Sequence, residues 1–349
     1  MPFSGQHISL NFEDAAPVRV DIWLALHLPD ASRAKIQRLV ERGKILVNGI
    51  AVKRSHLLRT GDSVEVVWED EADSLVLKPS PLDLSILFED EDLIVVDKPA
   101  GVSVHPGAGK RQTTLVEGIL HKLGKEASKD LGFRPGLVHR LDKDTTGVMV
   151  YAKNESTQLK LAKQFASRQI KREYLALLDG YLKAARIIYE SYLFRDPLHR
   201  QRFASLTAEA YEAKFGRPIE KAPSKFRRAV STFTKKKTYG NRLTLASISL
   251  QTGRTHQIRV HSQDLKCPVL GDQLYNRYHE FPLHFAPELR KQVSNLPRQM
   301  LHAKSLGFRH PRTLEDMEFK APLPKDLGEL LNSLEPYRDV LWKAEEESS

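Results

Sequence analysis

The stretch GLVHRLDKDTTGVMVYAKN, residues 136–154, concentrates charged residues between two apolar runs that have the character of β-strands. Gly136 and Gly147 bracket the charged run, and glycine allows tight turns that a side chain would obstruct. A carboxylate on a short loop between strands, such as Asp142, is suited to act as a nucleophile or base. On residue type alone, a solvated turn between two strands remains the alternative.

Two further segments carry residues that suit the same chemistry. In QTGRTHQIRVHSQ, residues 251–263, the guanidinium of Arg259 would keep a nearby carboxylate ionised and aim it. In IKREYLALLDG, residues 170–180, Tyr174 interrupts an aliphatic strand pattern. Tyr174 is expected either to pack in the core with its hydroxyl hydrogen-bonded, or to provide a surface on which a base stacks.

Charge and composition favour an anionic partner and a cytoplasmic protein. The 349 residues carry a formal charge of +10, which suits a phosphate backbone or an anionic membrane surface. The apolar runs are too short to span a bilayer, and the N-terminus lacks the pattern of a signal peptide. Cys267 is the single cysteine, which excludes an internal disulfide framework and a Cys-rich zinc site.

The order of features predicts four segments. Residues 1–16 are expected to form an irregular arm, residues 17–80 a small domain, residues 81–330 a larger domain, and residues 331–349 a polar tail. In the larger domain, strand patterns at 147–151, 174–178 and 243–250 and helix patterns at 112–124 and 155–168 follow no regular alternation. This irregular order predicts an α+β fold rather than repeated βαβ units.

A basic stripe marks the small domain. Ile36, Leu39 and Val40 form one stripe of a predicted helix, and Lys35, Arg38 and Arg42 fall together on another face. Such a face is commonly only solvated. Nine Lys or Arg against five Asp or Glu within residues 19–65 favour a phosphate contact instead.

Several motifs together resemble a known enzyme family. HRLDKDTTG resembles the signature of the RluA-type pseudouridine synthases, which modify ribosomal and transfer RNA. Further motifs follow in the family's order: LIVVDKPAGVSVHPG (93–107), KREYLALLDG (171–180), RDPLHRQRF (195–203), TGRTHQIRVH (252–261), PVLGDQLYN (268–276) and LHAKSLGFRHP (301–311). The segment SRAKIQRLVERGKILVNGIAVKRSHLLRTGDSVEV resembles an S4-like RNA-binding domain.

The resemblance implies a fold, a substrate and residue roles. It implies a mixed, mainly antiparallel catalytic sheet preceded by a small α/β S4-like domain, as in the RluD-like branch, which acts on large-subunit ribosomal RNA. Asp142 matches the essential aspartate, Arg259 the arginine that pairs with it, Tyr174 the tyrosine against the uracil, and Arg140 the arginine that stabilises the flipped nucleotide. The basic residues Lys35, Arg38 and Arg42 would bind RNA.

The expected reaction is an isomerisation, so we expect a monomeric enzyme with no cofactor and no metal. The stretch 204–230 departs from the family because it is longer and more basic than expected, and it leaves the surface that grips the substrate undefined. Transfer RNA as the substrate remains an alternative, as does a non-catalytic RNA-binding factor in ribosome assembly.

Two other classes fit less well. A metal-dependent hydrolase would need histidine ligands in a recognised spacing, but His256 and His261 are five residues apart and their motif holds no acidic residue. The full set of histidines that prompts this alternative is His105, His139, His256, His261, His302 and His310. A P-loop at PGAGKR, residues 106–111, lacks the first glycine and the Ser or Thr.

Overall fold

The computed structural model describes residues 7–28, 36, 39–68, 77–106, 112–124, 136–199, 201–276 and 281–339. The chain divides into two compact units, Met1–Val76 and Leu77–Ser349. The elements of the first unit are β1 (His7–Asn11), β2 (Val18–Arg19), α1 (Val20–His27), β3 (Ile45–Val47), β4 (Ile50–Ala51), β5 (Leu57–Leu58) and β6 (Ser63–Val67).

The elements of the second unit follow in chain order. They are β7 (Ser85–Glu89), β8 (Leu93–Lys98), α2 (Leu115–Leu123), β9 (Thr146–Ala152), α3 (Glu155–Ala166), β10 (Lys171–Asp179), β11 (Arg186–Arg195), β12 (Phe203–Leu206), α4 (Ala208–Phe215), β13 (Arg227–Tyr239), β14 (Leu243–Leu250), α5 (Gln257–Asp264), α6 (Pro287–Ser294), β15 (Leu301–Arg309), β16 (Asp316–Lys320) and α7 (Lys325–Leu334). Short 3₁₀ turns lie at Ile219–Lys221 and Glu335–Tyr337.

The first unit packs a helix against a small sheet. Its strands are ordered β1-β6-β3-β4, and β2 pairs with β5. In α1 the buried residues Val20, Trp23 and Leu24 recur at helical spacing, so one face of the helix enters the core. The turn at Asn48-Gly49 joins β3 to β4, and both residues have positive φ, +51° and +78°, as a two-residue hairpin requires.

A ten-stranded sheet forms the frame of the second unit. Its order is β12-β11-β13-β14-β10-β15-β9-β8-β7, and β16 pairs with β15 at the side of this path. All strand pairs are antiparallel except β15 with β9, where His302 lies opposite Thr146 and Ala303 opposite Gly147. The predicted α+β class with a mixed, mainly antiparallel sheet is therefore confirmed.

The central strands are buried on both faces. In β8, Ile94 and Val96 join one hydrophobic cluster, whereas Leu93 and Val95 join another. Because side chains of a strand alternate between faces, these two clusters lie on opposite sides of the sheet. Helix α2 packs on the first side and α3 on the second.

Local sequence determines where these two helices begin. Thr114 and Glu117 form a reciprocal capping box at the start of α2, and the side chain of Asn154 accepts a hydrogen bond from the Thr157 N–H at the start of α3. The strands predicted at 147–151, 174–178 and 243–250 and the helices predicted at 112–124 and 155–168 are all present with small shifts at their ends.

Two boundary predictions are wrong. Within the expected irregular arm, β1 pairs with β6 along all five of its residues, because Ile8 and Leu10 alternate with polar residues and pack against the first unit's core. The expected polar tail from residue 331 is instead partly structured. Helix α7 continues to Leu334, which is fully buried, and Arg338 forms a bridge with Tyr239 of β13.

Candidate active site

Residues 136–139, which precede Asp142, run beside β9 and are hydrogen-bonded to it. Gly136 has a φ of +64°, and its carbonyl accepts a hydrogen bond from the Ala152 N–H at 2.9 Å. His139 then accepts a hydrogen bond at Nε2 from the Val150 N–H, at 3.1 Å, and stacks on Phe165. Burial, followed by the positive charge of Arg172, lowers the pKa of His139 to about 3, so the ring is neutral and can accept this bond.

The turn that carries Asp142 has its carbonyls satisfied one by one. The Asp142 carbonyl accepts from the Thr145 N–H at 3.1 Å. The Lys143 carbonyl accepts from the ammonium of Lys98 at 2.8 Å, and the Asp144 carbonyl accepts from the guanidinium of Arg298 at 3.2 Å. Two buried cations from distant parts of the chain therefore determine the backbone path on which Asp142 sits.

Lys98 is an unusual group for a sheet interior. Its side chain is fully buried at the end of β8, and besides Lys143 its Nζ donates to the carbonyls of Pro99 at 2.8 Å and Val102 at 3.0 Å. Burial lowers the pKa of Lys98 to about 8, although the charges of Asp144 and Asp142 act in the opposite direction. All three ammonium donors are used, so Lys98 acts as a structural tie.

Arg259 lies between two carboxylates. From the interior of α5 its Nη1 donates to Asp142 Oδ2 at 3.0 Å, while Nε and Nη2 donate to Asp272 Oδ2 and Oδ1 at 2.6 and 2.9 Å. Asp272 is fully buried, and its Oδ1 also accepts the backbone N–H groups of Leu274 and Tyr275. Burial alone would lower the pKa of Arg259, but the hydrogen bonds and charges of Asp272 and then Asp142 raise it.

His256 approaches Asp142 from the other side. Its Nε2 lies 4.0 Å from Asp142 Oδ1, and its Nδ1 lies 2.9 Å from the hydroxyl of Tyr275. That hydroxyl also accepts the Phe203 N–H at 2.8 Å, and in the tautomer in which it donates to His256 Nδ1 the ring carries its proton on Nε2, on the side of Asp142. Burial, only partly offset by Asp142, lowers the pKa of His256, and its backbone has a φ of +57° at the start of α5.

Asp142 opens into a cavity of about 480 Å³, within the range of roughly 300–1,000 Å³ typical of small-molecule sites. Tyr174 lines it from β10 and is 8% exposed; burial raises the pKa of its phenol, so the hydroxyl keeps its proton. Asp142 is the one acidic residue among those that line this cavity. The basic residues that line it are His139, Arg140, Arg168, Arg172 and Arg254.

The structure therefore brings together the four active-site residues predicted from sequence. Asp142, Tyr174 and the exposed Arg140 line the cavity, and Arg259 reaches Asp142 from beneath it. Of the basic residues predicted to bind RNA, Arg42 is exposed in the first unit, and Lys35 and Arg38 lie outside the described residues.

The histidines do not converge on a metal-binding geometry within the described part of the chain. One group of possible ligands, Asp90, Asp92 and His310, lies outside the lining of the cavity. There His310 Nδ1 accepts the Arg312 and Thr313 N–H groups, so its Nε2 carries the proton that faces Asp90 at 2.9 Å. Four other histidines each form a hydrogen bond within the protein: His139 with Val150, His256 with Tyr275, His261 with Ser191 and His302 with Thr146. No described helix combines the length and apolarity of a membrane span.

Comparison with known proteins identifies relatives along the chain. Residues 92–264 match the family model described as RNA pseudouridylate synthase, and residues 18–64 match the S4 domain. An uncharacterised RNA pseudouridine synthase of Chlorobaculum parvum is 36% identical over 91% of this chain and 94% of its own. A ribosomal large subunit pseudouridine synthase D of Nitrosomonas europaea is 35% identical over 92% of this chain and 86% of its own.

A solved structure agrees with these relatives. Human RNA Pseudouridylate Synthase Domain Containing 4 superimposes with a TM-score of 0.55 at 26% sequence identity, covering 72% of this chain and 92% of that chain.

Proposed function

The chain belongs to the RNA pseudouridylate synthase family, with an S4 domain at its N-terminus, and we propose that it isomerises uridines of large-subunit ribosomal RNA through Asp142. The observation that carries the chemistry is the 3.0 Å contact between Arg259 and Asp142 at the floor of a cavity lined by Tyr174 and Arg140. The choice of RNA is supported by the relatives of Nitrosomonas europaea, Xanthomonas campestris and Pasteurella multocida, each named ribosomal large subunit pseudouridine synthase D.

The reaction requires the target nucleotide to leave its stack. The bond between uracil N1 and ribose C1′ breaks, the uracil rotates, a bond from C5 to C1′ forms, and the C5 proton is lost while N1 gains one. These atoms are inaccessible in stacked RNA, so the uridine must be flipped into the cavity. Arg140, at the exposed edge, is suited to hold the displaced backbone, and Tyr174 supplies an aromatic face for the uracil.

Asp142 is the reactive group of this proposal. Arg259 engages one carboxylate oxygen, Oδ2, and so turns the other, Oδ1, to the side of His256 and the cavity. From there Asp142 can attack the sugar or the base, or assist cleavage of the glycosidic bond. Because Asp272 holds Arg259 charged and in place, Asp142 meets a preorganised cation that needs no rearrangement during the reaction.

The reaction exchanges bonds within one nucleotide, so its balance includes no oxidant, reductant or second substrate. The proposed site is complete within one chain, and the proposal includes a monomeric enzyme, as expected from the sequence. A ribosomal substrate is also consistent with the cytoplasmic location expected from the sequence.

Replacement of Asp142 tests the assignment. Asp142→Asn keeps the size of the side chain but removes its charge, so we expect turnover to be abolished and RNA binding to stay within a few fold. Carbodiimide mapping of pseudouridine on unmodified large-subunit RNA measures the turnover, and Asp83→Asn at an exposed position provides the matched control. Pseudouridine formed at the wild-type rate by Asp142→Asn would refute the role of Asp142.

A further inference from the structure

The segment between β11 and β13 has a folded core of its own. Tyr211 of α4 is fully buried, and its ring lies 5.0 Å from that of Phe226, which in turn lies 4.9 Å from Phe194 of β11. Residues 204–230 carry six Lys or Arg against three Asp or Glu. Phe226 immediately precedes Arg227, so this aromatic cluster anchors the chain at the point where β13 begins.

The same segment is attached to the helix that carries Arg259. The Ser205 hydroxyl of β12 donates to the Asp264 carboxylate at the end of α5, and Arg202 donates to Gln263 at 3.2 Å. The segment between β11 and β13 is therefore held to the active-site region by side-chain hydrogen bonds to α5, as well as by its continuation into β13.

Two arginines line the rim of the cavity, and a third lies beside one of them at the start of β13. Arg168, at the end of α3, and Arg254, before α5, both line the cavity and are exposed. The Arg254 Nε donates to the carbonyl of Arg228 at 3.2 Å, so its side chain lies along the start of β13 beside the exposed Arg227. The part of the Arg254 side chain that is buried lowers its pKa, and the charges of Arg227 and then Arg168 lower the pKa further, as expected for like charges close together.

No carboxylate among the described residues forms an ion pair with Arg168, Arg227 or Arg254. The next residue in the chain provides a contrast, since Arg228 makes two hydrogen bonds to Glu190, at 2.5 and 2.7 Å. A like-charged cluster that lacks internal partners at the mouth of a cavity is suited to bind an external polyanion.

We infer that Arg168, Arg227 and Arg254 form a phosphate-binding cluster that grips the RNA backbone beside the flipped uridine. The cluster gives the segment 204–230 a function, because its aromatic core holds the start of β13, and with it Arg227, beside Arg254 of the catalytic frame. Guanidinium groups suit this role because their planar forks bind phosphate oxygens bidentately. The inference rests on the proposed function, since it takes RNA as the occupant of the adjacent cavity.

The test compares two neighbouring arginines of β13 in the full-length chain. Arg227→Gln and Arg228→Gln remove the same net charge one residue apart, but only Arg227 belongs to the cluster. We measure the Kd for a large-subunit RNA fragment that the wild type modifies, as a function of salt, together with kcat and KM. Each lost phosphate contact should flatten the slope of log affinity against log salt by about 1.

The expected result separates binding from chemistry. Arg227→Gln combined with Arg254→Gln should flatten the slope by about 2 and raise Kd and KM by about tenfold or more, while kcat at saturating RNA changes little. Arg228→Gln should keep the wild-type slope and KM. If Arg227→Gln and Arg228→Gln changed Kd and the salt slope equally, the effect would be one of net charge, and the assignment of a specific phosphate-binding cluster would be refuted. A salt slope equal to that of the wild type in the double variant would refute it as well.

The failure of this inference differs from failure of the proposed function. If the wild type forms no pseudouridine on any large-subunit RNA, the proposed function fails before the cluster is tested. If the wild type is active and the double variant binds as it does, only the phosphate cluster is refuted.

Discussion

Replacing Asp272 by asparagine should destabilise the catalytic unit far more than replacing Asp142, although both carboxylates bind the same arginine. Asp272 is fully buried and accepts two hydrogen bonds from Arg259 and two from backbone N–H groups. In Asp272→Asn an amide N–H₂ would face a guanidinium N–H, and Arg259 would keep a buried charge without its principal counter-ion. Breaking a buried pair in this way costs about 3–5 kcal/mol of the free energy of unfolding.

Asp142 is in a different position. Its side chain is 18% exposed and accepts a single hydrogen bond from Arg259, at 3.0 Å. In Asp142→Asn that guanidinium retains Asp272, so the loss of unfolding free energy should be about 1 kcal/mol. The two variants should thus separate two properties: Asp142→Asn loses turnover and keeps its stability, whereas Asp272→Asn loses stability.

Urea unfolding of the full-length proteins, followed by far-UV circular dichroism, measures the difference. We expect the midpoint of Asp272→Asn to lie well below those of wild type and Asp142→Asn. Below that midpoint, residual turnover of Asp272→Asn should also be reduced because Arg259 is no longer aimed. An unfolding free energy of Asp272→Asn within about 1 kcal/mol of wild type would refute the reasoning, since a buried guanidinium that loses its principal counter-ion and keeps only one hydrogen bond to Asp142 should cost more than that.

Three further predictions follow from the frame around the site. The pKa of Lys98 is about 8 in the folded state and ordinarily 10.5, so between pH 8 and pH 10.5 the unfolded chain binds one proton that the folded chain has released. The free energy of unfolding of the wild type should therefore rise with pH across this window, by up to about 3 kcal/mol, and Lys98→Met should lack this rise in urea unfolding. Gly147→Ala should lower the free energy of unfolding by at least about 2 kcal/mol and lower the Tm with it, since Gly147 has a φ of +114° and a Cβ there would collide with the Ala303 carbonyl. A Tm equal to that of the wild type would contradict this prediction. Deleting residues 1–76 should weaken RNA binding and flatten its salt dependence while leaving some turnover on a minimal RNA, and an unaltered salt slope would argue against a phosphate-binding role for that unit.

The sequence allowed the principal pair of the site to be predicted, but not its support. Asp142 and Arg259 were identified through family motifs, and no periodicity could have shown that residues so far apart meet. Asp272 lies in the family motif PVLGDQLYN, yet no feature of the neighbouring sequence distinguishes a buried counter-ion from a solvated aspartate in a turn. Lys98 was equally inconspicuous, because its importance derives from carbonyls supplied by three separate positions.

The fold was predictable where a segment is periodic over its own length. The strands β9 and β14 and the helices α2 and α3 have such patterns, and the sequence predicts their positions closely. By contrast, β1 is only five residues long, and its alternation has meaning only beside β6. The long insertion could be recognised as a departure from the family, but its role depended on where the chain places Arg227 relative to Arg254.

The parallel pairing of β9 with β15 also affects how the chain folds during its synthesis. Thr146 and His302, hydrogen-bonded at this seam, are separated by 156 positions, and Asp142 and Arg259 by 117. During synthesis, β9 can pair early with β8, but its pairing with β15 requires that most of the polypeptide has left the ribosome. Such high contact order slows folding and leaves strand edges exposed in the meantime. Activity should consequently appear late and all at once, rather than growing with each completed segment.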